Sequence, residues 1–249
     1  MLISEPRFTN SGTRVGYPSI FIDRQMLLQV LYRNLKHKDR VLTKKRVSRV
    51  ELVDGGVQAY TQDGSVYEGD IVVGADGIHS AVRDEMWRLG KEQSPGYFPE
   101  DENSRTYNYT LSSSSLTWSV GVPVSTRCIF GISKRPSELG SRSQQMVIGE
   151  GHAYLIIAAP GDRTYWFLFD GLSETKFGKD ISKYTKADEE GLVKGHRNDH
   201  ITQDVTFGEL YDRKIMSTLV PLEEYVFDRW HYKRIITIGD SAHKVSKIT

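Results

Sequence analysis

Two aspartates that each follow a short apolar run are the residues best placed to do chemistry. Asp76 follows the run Val-Val-Gly-Ala, and Asp240 follows the run Ile-Thr-Ile-Gly. Ligands of open α/β sheets bind beyond the carboxyl ends of parallel strands, so both carboxylates are expected to project into a ligand crevice. A carboxylate there can accept hydrogen bonds from ribose or ribityl hydroxyl groups, and the glycines let the backbone approach a phosphate or a planar ring. Taken singly, each Gly-Asp pair is also what an ordinary turn contains.

The elements that must position these aspartates are two strands and a helix. Residues 70–77 contain the continuous apolar run 71–73 followed by small residues, which is typical of an inner parallel strand that is covered on both faces. Residues 234–238 repeat that pattern near the end of the sequence. Residues 80–89 are predicted to form a helix that starts just after Asp76. The sequence therefore predicts a parallel pair of strands with a helix leaving one of them.

The remaining pattern predicts a strand-rich mixed protein. A helix is predicted over residues 23–35, where apolar positions share one face and Asp23 is a suitable N-cap. Asp-Gly pairs between alternating runs predict hairpins. A polar, irregular stretch at residues 90–118 predicts a loop, and residues 180–204 are predicted to be partly helical. The predicted extended segments are 47–53, 56–61, 65–68, 128–130, 145–147, 152–159 and 164–169.

Composition excludes several classes of function. With 33 basic and 32 acidic side chains, the chain gives no electrostatic reason to propose a nucleic acid or an anionic membrane as partner. The single cysteine, Cys128, cannot form a disulfide framework or a multi-cysteine zinc site. The sequence shows no metal-ligand spacing, Ser/His/Asp constellation or nucleophile elbow. No apolar stretch approaches the roughly 20 residues that span a bilayer, and a signal peptide is not expected.

The two aspartates lie in motifs that resemble those of the class A FAD-dependent monooxygenases. Residues 76–83, Asp-Gly-Ile-His-Ser-Ala-Val-Arg, match the family pattern D-G-x-x-S-x-x-R. Residues 238–243, Ile-Gly-Asp-Ser-Ala-His, are similar to the pattern G-D-x-x-H. The resemblance covers nearly the whole chain except residues 101–125. The segments that are similar, more narrowly, to fungal members that epoxidise prenyl chains in indole-diterpene and meroterpenoid pathways are 21–28, 127–133, 165–167 and 230–232.

The resemblance implies FAD as the cofactor, NADPH as the electron donor and a small prenylated molecule as the substrate. Tyr165, on a strand that faces substrate in these enzymes, is the candidate catalytic residue. In such chemistry the protein binds the cofactor and keeps water away from the reaction. The residues whose motif positions imply binding of the cofactor are Arg24, Asp76, Gly77, Arg83, Gly239 and Asp240.

Several of these residues also have a plain structural interpretation. Arg24 is equally typical of a solvated arginine at a helix start, and Arg83 of an ion-paired residue packed behind the site. A histidine after a strand, such as His243, is usually structural and is not interpreted as a general base. Tyr165 and Trp166 form an aromatic pair of a kind found more often in a core than in a substrate pocket.

The fold implied by the resemblance is α/β: an incomplete, doubly wound FAD-binding domain of the p-hydroxybenzoate hydroxylase type with an inserted strand-rich substrate domain. We expect a partial FAD-binding domain over residues 1–100, a mixed-sheet substrate domain over residues 101–230 and a return segment over residues 231–249. The family opens with a strand, a G-x-G-x-x-G turn and a helix that hold the FAD pyrophosphate, and the sequence lacks that motif. A chain truncated at both ends is expected, with exposed apolar surface and weak or no retention of FAD.

The function expected from the resemblance is an FAD-dependent monooxygenase that uses NAD(P)H and O2 to epoxidise or hydroxylate a prenylated secondary metabolite. An intracellular location is implied, cytoplasmic or associated with internal membranes. One alternative is a non-catalytic fragment or pseudoenzyme of the same family. A second is a flavin reductase or halogenase on the same scaffold, although the lysine and tryptophan-rich signatures of a halogenase are not found. A third, a binding module, is favoured by nothing in the sequence.

Overall fold

The structure is a computed structural model of the 249-residue chain, and it describes residues 2–4, 21–99, 122–141 and 143–244. Within these residues the chain is a mixed α/β protein. Its helices are α1 (Arg24–Asn34), α2 (Ala81–Gln93), α3 (Lys186–His196) and α4 (Phe207–Asp212). Its strands are β1 (Leu2–Ser4), β2 (Val47–Val53), β3 (Gly56–Thr61), β4 (Val66–Gly69), β5 (Val72–Gly74), β6 (Val124–Lys134), β7 (Gln144–Ile148), β8 (His152–Ala159), β9 (Arg163–Lys176), β10 (Lys214–Glu223), β11 (Tyr225–Val226), β12 (His231–Tyr232), β13 (Ile235–Thr237) and β14 (His243–Lys244).

The largest sheet in the described part of the chain is antiparallel, with the strand order β1-β7-β8-β9-β6-β10. Side chains alternate along a strand, so Trp166 and Leu168 of β9 point to one face of this sheet. The helices α3 and α4 cover that face, where both residues join Phe207 and Leu210 of α4 in a buried core. Tyr165 and Phe167 point to the opposite face.

The two covering helices begin at capping boxes. Thr185 accepts a hydrogen bond from the backbone N–H of Asp188, whose carboxylate accepts one from the backbone N–H of Thr185. Thr206 and Glu209 make the same reciprocal pair at the start of α4. Such pairs satisfy backbone donors that have no partner within the helix. The expectation of a partly helical segment within residues 180–204 is confirmed by α3.

A second core forms around α2, which packs on β2, β5 and β13. Val50, Met86, Trp87 and Ile235 are buried there. The strands β12, β13 and β5 form a sheet in this order, in which β13 and β5 are parallel. The predicted hairpins are confirmed as the antiparallel sheet β2-β3-β4.

Two sequence predictions, one about burial and one about the start of a loop, need correction. The apolar run at residues 71–73 is not covered on both faces within the described residues, because Ile71 is 60% exposed and Val73 is 47% exposed. In that part of the chain, only the face that meets α2 is packed. The predicted loop over residues 90–118 begins too early, since α2 continues to Gln93, and most of that segment lies outside the described residues.

The helix α1 confirms the predicted helix over residues 23–35, including its cap. The Asp23 carboxylate accepts a hydrogen bond from the backbone N–H of Gln25 at 2.8 Å. All residues of α1 are exposed within the described part of the chain, so the shared apolar face does not pack there. None of the described helices is long and apolar enough to span a membrane.

Candidate functional site

The parallel strands β5 and β13 end side by side. Gly74 lies opposite Thr237 in the register, and the backbone N–H of Ile238 donates to the Gly74 carbonyl at 2.9 Å. Asp76 follows β5 and Asp240 follows β13, and both side chains are exposed. The predicted parallel pairing is therefore confirmed, and both aspartates come after the carboxyl end of a parallel strand.

Asp76 is held by the start of α2. Its carboxylate accepts hydrogen bonds from the hydroxyl of Ser80 and from the backbone N–H of Val82, the latter at 3.2 Å. Ser80 is the N-cap of α2 and accepts from the backbone N–H of Arg83 at 3.0 Å. A carboxylate is stabilised near the positive end of a helix dipole. These bonds fix the shape of the turn between β5 and α2.

Three glycines allow the close approach of backbone at this edge. A Cβ atom at Gly74 would come within 2.8 Å of Val82, so only glycine lets α2 start this close to β5. Gly77 and Gly239 have φ angles of +82° and +60°, which glycine adopts without strain. A Cβ atom on either of these two would meet nothing within 4 Å among the described residues. The backbone of both turns therefore faces open space.

Arg83 connects the turns of the two motifs from their buried side. It is 3% exposed, and its guanidinium donates to the carbonyl of Ser241 at 3.1 Å and to the carbonyl of Ile78 at 2.6 Å. The guanidinium also lies 5.2 Å from the ring centre of Trp87 and 4.9 Å from that of Phe227. The guanidinium thus contacts backbone carbonyls and aromatic rings of the protein, so the structure places it as a brace between the turns rather than on their exposed side.

Two further residues hold the turn after β13, and sequence reasoning missed both. The Ser241 hydroxyl lies 2.5 Å from the Gly74 carbonyl and 2.6 Å from the Ile238 carbonyl. It donates its single proton to these two carbonyl oxygens, which lie at the ends of the two strands. The Tyr225 hydroxyl donates to the backbone carbonyl of Asp240. The serine occupies an unspecified position of the G-D-x-x-H motif. The tyrosine comes from β11 and carries no motif that could have identified it.

Beside the brace lies a carboxyl group with unusual electrostatics. Burial raises the pKa of Asp84 to about 7, against the opposing effect of the neighbouring Arg83. Its Oδ1 is buried and makes no hydrogen bond within the described residues. Burial also lowers the pKa of the Arg83 guanidinium. The only sequence signal for Asp84 is an acidic residue directly after the motif arginine.

The remaining predicted site residues lie elsewhere. Arg24 is exposed in the first turn of α1, and no hydrogen bond joins it to Asp76 or Asp240 in the described part of the chain. Tyr165 lies on the face of the large sheet opposite α3 and α4, which we call the open face. Its side chain is buried there, with its ring 5.3 Å from that of Phe21. Trp166 points to the helix-covered face, as a core residue would.

Aromatic rings share the open face of the large sheet with Tyr165. Phe130 lies opposite Phe167 in the register, with their rings 5.2 Å apart. Phe21 lies 6.0 Å from Phe167, and Phe169 stacks on Phe167 at 6.1 Å. We call these residues, Phe21, Phe130, Tyr165, Phe167 and Phe169, the aromatic face. Tyr165 is buried and the four phenylalanines are half-buried, so this face presents mainly apolar ring surface.

His243 completes the second motif. It is exposed in β14, and its ring stacks on that of Trp230 at 5.0 Å with 23° between the planes. The contact agrees with its interpretation as a structural histidine.

Sequence comparison places the chain among known proteins. It is 37% identical over 238 residues to the FAD-dependent monooxygenase andE of Emericella variicolor, an alignment that covers 96% of this chain and 47% of the relative. The chain belongs to the FAD-dependent monooxygenase family. It is also 38% identical over 237 residues to the FAD-dependent monooxygenase spyC of Aspergillus fumigatus, covering 95% of this chain and 46% of that relative. The chain thus spans slightly less than half the length of these curated relatives, and no protein-family model matches it.

Solved structures show the fold of this family member. A variant of HpxO from Klebsiella pneumoniae complexed with FAD matches with a TM-score of 0.67 and 20% identity, covering 94% of this chain and 53% of that one. A salicylate hydroxylase in a substrate complex matches with a TM-score of 0.55 and 17% identity, covering 89% and 51%. The α/β fold expected from the sequence, with a strand-rich part, is confirmed by these likenesses.

Proposed function

We propose that this chain forms part of an FAD-dependent monooxygenase in which the carboxyl ends of β5 and β13 hold the cofactor. One observation carries the proposal: Asp76 and Asp240 are exposed after the ends of two adjacent parallel strands, while Arg83 and Ser241 fix both turns from behind. Ligands of open α/β sheets bind beyond such strand ends. The family membership of the chain agrees with this use of the site.

The residues at this edge fit the chemistry of FAD. The exposed carboxylate of Asp240 can accept hydrogen bonds from the ribityl hydroxyl groups. The open backbone at Gly77 and Gly239 lets a phosphate or the ring system approach closely. Arg24 is proposed to add a positive charge near the pyrophosphate. Arg83 acts here as a positioning residue, since its guanidinium reaches the backbone of both turns.

When bound, FAD supplies the transfer of one oxygen atom from O2 to the substrate, with electrons from NAD(P)H. The protein's own residues bind, orient and exclude water. The aromatic face is proposed to take an apolar substrate, and Tyr165 to line it next to Phe21. We propose a prenylated secondary metabolite as the substrate and epoxidation or hydroxylation as the reaction. The rings that cover the open sheet face support an unsaturated apolar molecule.

Flavin binding tests this proposal directly. The 249-residue chain is titrated with FAD while the flavin fluorescence is followed, and gel filtration then shows whether the absorbance of FAD travels with the protein. Asp240→Ala is compared with Asp180→Ala, a matched control at an exposed aspartate in a separate 3-10 turn. Because the chain lacks the G-x-G-x-x-G turn, we expect weak but measurable binding in the wild type and the control. Binding should be at least about tenfold weaker in Asp240→Ala, which loses one or two charge-assisted hydrogen bonds.

Equal binding by Asp240→Ala and Asp180→Ala would remove Asp240 from the site. A folded chain that retains no flavin would instead favour the alternative of a non-catalytic fragment or pseudoenzyme of the family. Circular dichroism separates that result from simple unfolding.

A further inference from the structure

A second cluster of chemically capable residues lies on the helix-covered face of the large sheet, the face opposite the aromatic face. His152 begins β8, His196 ends α3, and Asp199 lies in the loop between α3 and α4. One potential ligand atom from each residue lies within 4.8 Å of the other two. The cluster plays no part in the proposed flavin site.

The distances within the cluster are close to those of a metal site. Nδ1 of His196 lies 2.8 Å from Oδ2 of Asp199, and Nε2 of His152 lies 3.3 Å from the same oxygen. Two ligand atoms that each bind one metal ion at about 2.1 Å are roughly 3.0 to 3.4 Å apart at octahedral or tetrahedral angles. Small rotations of the side chains are therefore enough to converge on a common ion.

Each of the three candidate ligands also has an outer partner. Nδ1 of His152 faces the carbonyl of Glu150 at 3.0 Å, and the Tyr154 hydroxyl donates to Oδ2 of Asp199 at 2.6 Å. Nε2 of His196 faces Oδ1 of Asp170 at 3.7 Å. Histidines that bind metals ordinarily direct their second nitrogen to a carbonyl or a carboxylate in this way. Asp170 is itself fixed by Arg127, whose Nε donates to it at 2.7 Å.

The contact of the His152 ring with the Glu150 carbonyl gives a further reason for a cation. Because Nδ1 faces a carbonyl oxygen, that nitrogen carries the proton in the neutral ring. Nε2 then turns its lone pair toward the Asp199 carboxylate. This nitrogen is buried and makes no hydrogen bond within the described residues. In that tautomer two electron-rich atoms face each other and repel, and a cation between them, either a proton or a metal ion, removes the repulsion.

We propose that His152, His196 and Asp199 bind a divalent transition-metal ion, for which zinc is the probe. Two imidazoles and one carboxylate suit zinc and its neighbours, and three protein ligands leave one position for water. Calcium and magnesium prefer sites made of oxygen ligands. A metal here would fasten the end of α3 and the loop after it to β8. Its expected effect is on stability, and it can be measured without flavin or substrate.

The test uses the untagged 249-residue chain after treatment with a chelator. Zinc is added to one sample and calcium to another, bound metal is counted by equilibrium dialysis, and thermal unfolding is followed in each. We expect one bound zinc per chain and a higher Tm that excess chelator reverses, whereas calcium changes neither. A ligand that binds only the folded state raises stability with its concentration.

Variants identify the site. His152→Gln removes one ligand, and His200→Gln is its control because His200 is an exposed histidine in the same loop region. We expect His152→Gln to weaken zinc binding by about tenfold or more and His200→Gln to leave it unchanged. Asp170→Asn, which alters an outer partner of His196 and its bond to Arg127, should weaken it by a smaller factor than His152→Gln, at the low end of the roughly 10- to 100-fold range for such partners.

Equal zinc affinity in the wild type and in His152→Gln would overturn the proposal, as would a wild type whose Tm zinc does not raise. If His152→Gln fails to fold, Asp199→Asn and the wild-type comparison with and without zinc decide the question. Failure of flavin binding has no bearing on any of these results, because the cluster and the turns at β5 and β13 share no residue.

Discussion

At the scale of single residues, the site depends on side chains that are buried behind it. The guanidinium of Arg83 donates hydrogen bonds to the backbone of two turns. The next residue, Asp84, has a buried Oδ1 atom. A buried carboxyl group prefers its neutral form. The brace behind the candidate flavin edge therefore contains a group whose charge changes near neutral pH.

Asp84→Asn is expected to alter how stability depends on pH. The folded pKa of Asp84 is raised from an ordinary 3.8 to about 7. Between these two values the folded protein holds a proton that the unfolded chain has released, so stability falls as pH rises through this window and levels off above it. Asparagine has no such proton to lose. In urea unfolding across this window the wild type should lose stability relative to Asp84→Asn, by on the order of 4 kcal/mol.

Asp54→Asn serves as the control for this measurement, since Asp54 is exposed in the turn between β2 and β3. It should reproduce the wild-type pH profile. If Asp84→Asn did the same, the titrating group would lie elsewhere.

Arg83→Lys is expected to loosen both turns although it keeps the positive charge. An ammonium group cannot reproduce the planar fork of donors that reaches the carbonyls of Ile78 and Ser241 together. We expect a loss of about 2 to 3 kcal/mol in the free energy of unfolding, because buried acceptors lose their donor. Chemical denaturation measures it, and FAD titration should weaken in parallel. Arg33→Lys, on the exposed α1, should change neither quantity.

At the scale of elements, the sheets depend on pairs of residues that meet across strands. Gly131 of β6 lies opposite Trp166 of β9, and the indole ring occupies the space that a side chain at Gly131 would need. The same indole packs against Phe207 of α4 at 5.2 Å and donates to the Ser133 hydroxyl at 2.7 Å. One glycine thus lets the sheet and its covering helix share a large side chain.

Gly131→Ala should therefore destabilise the protein by about 1 to 3 kcal/mol, the usual cost of overpacking a core. The new Cβ would lie 2.0 to 2.4 Å from three atoms of the Trp166 ring, so the ring would have to move. Gly140→Ala is the matched control, because a Cβ there meets nothing within 4 Å of the described residues. Thermal unfolding should separate the two variants, and a similar Tm for both would show that the indole moves without cost.

Local signals in the sequence predicted most elements but not how distant elements meet. Asp23 as an N-cap and the Asp-Gly hairpins depend on neighbouring residues, and they were predicted correctly. The bond from Arg83 to Ser241 joins residues that are 158 positions apart, and no local pattern reports it. The cluster of His152, His196 and Asp199 was missed for the same reason, since its members come from a strand, a helix end and a loop.

Exposure could not be predicted from the sequence either. The apolar run at residues 71–73 is equally compatible with a strand buried on one face or on two, because burial depends on which elements pack against it. The motif residues Asp76 and Asp240 were identified by pattern, and their position after adjacent parallel strands required the fold. Whether they bind FAD remains a prediction for the titration above.

At the scale of the whole molecule, apolar side chains remain exposed in the described part of the chain. The side chains concerned on the parallel pair are Ile71, Val73, Ile236 and Ile238, and further ones line α1. Contiguous exposed apolar surface favours association with other apolar surfaces. We therefore expect the isolated 249-residue chain to bind a hydrophobic dye such as anilinonaphthalene sulfonate and to self-associate as its concentration rises.

The double substitution Val73→Thr with Ile236→Thr tests the origin of that behaviour. Both side chains are exposed, at 47% and 38%, so removing their apolar surface should lower dye fluorescence and association with a change in stability of less than about 1 kcal/mol. Ile235→Thr, the buried neighbour that is 1% exposed, should instead cost about 2 kcal/mol or more, because a hydroxyl enters the core. Dye binding that persists unchanged in the double variant would show that this face is covered in solution. The association would then have to arise from another surface, of which α1 is the next to be tested.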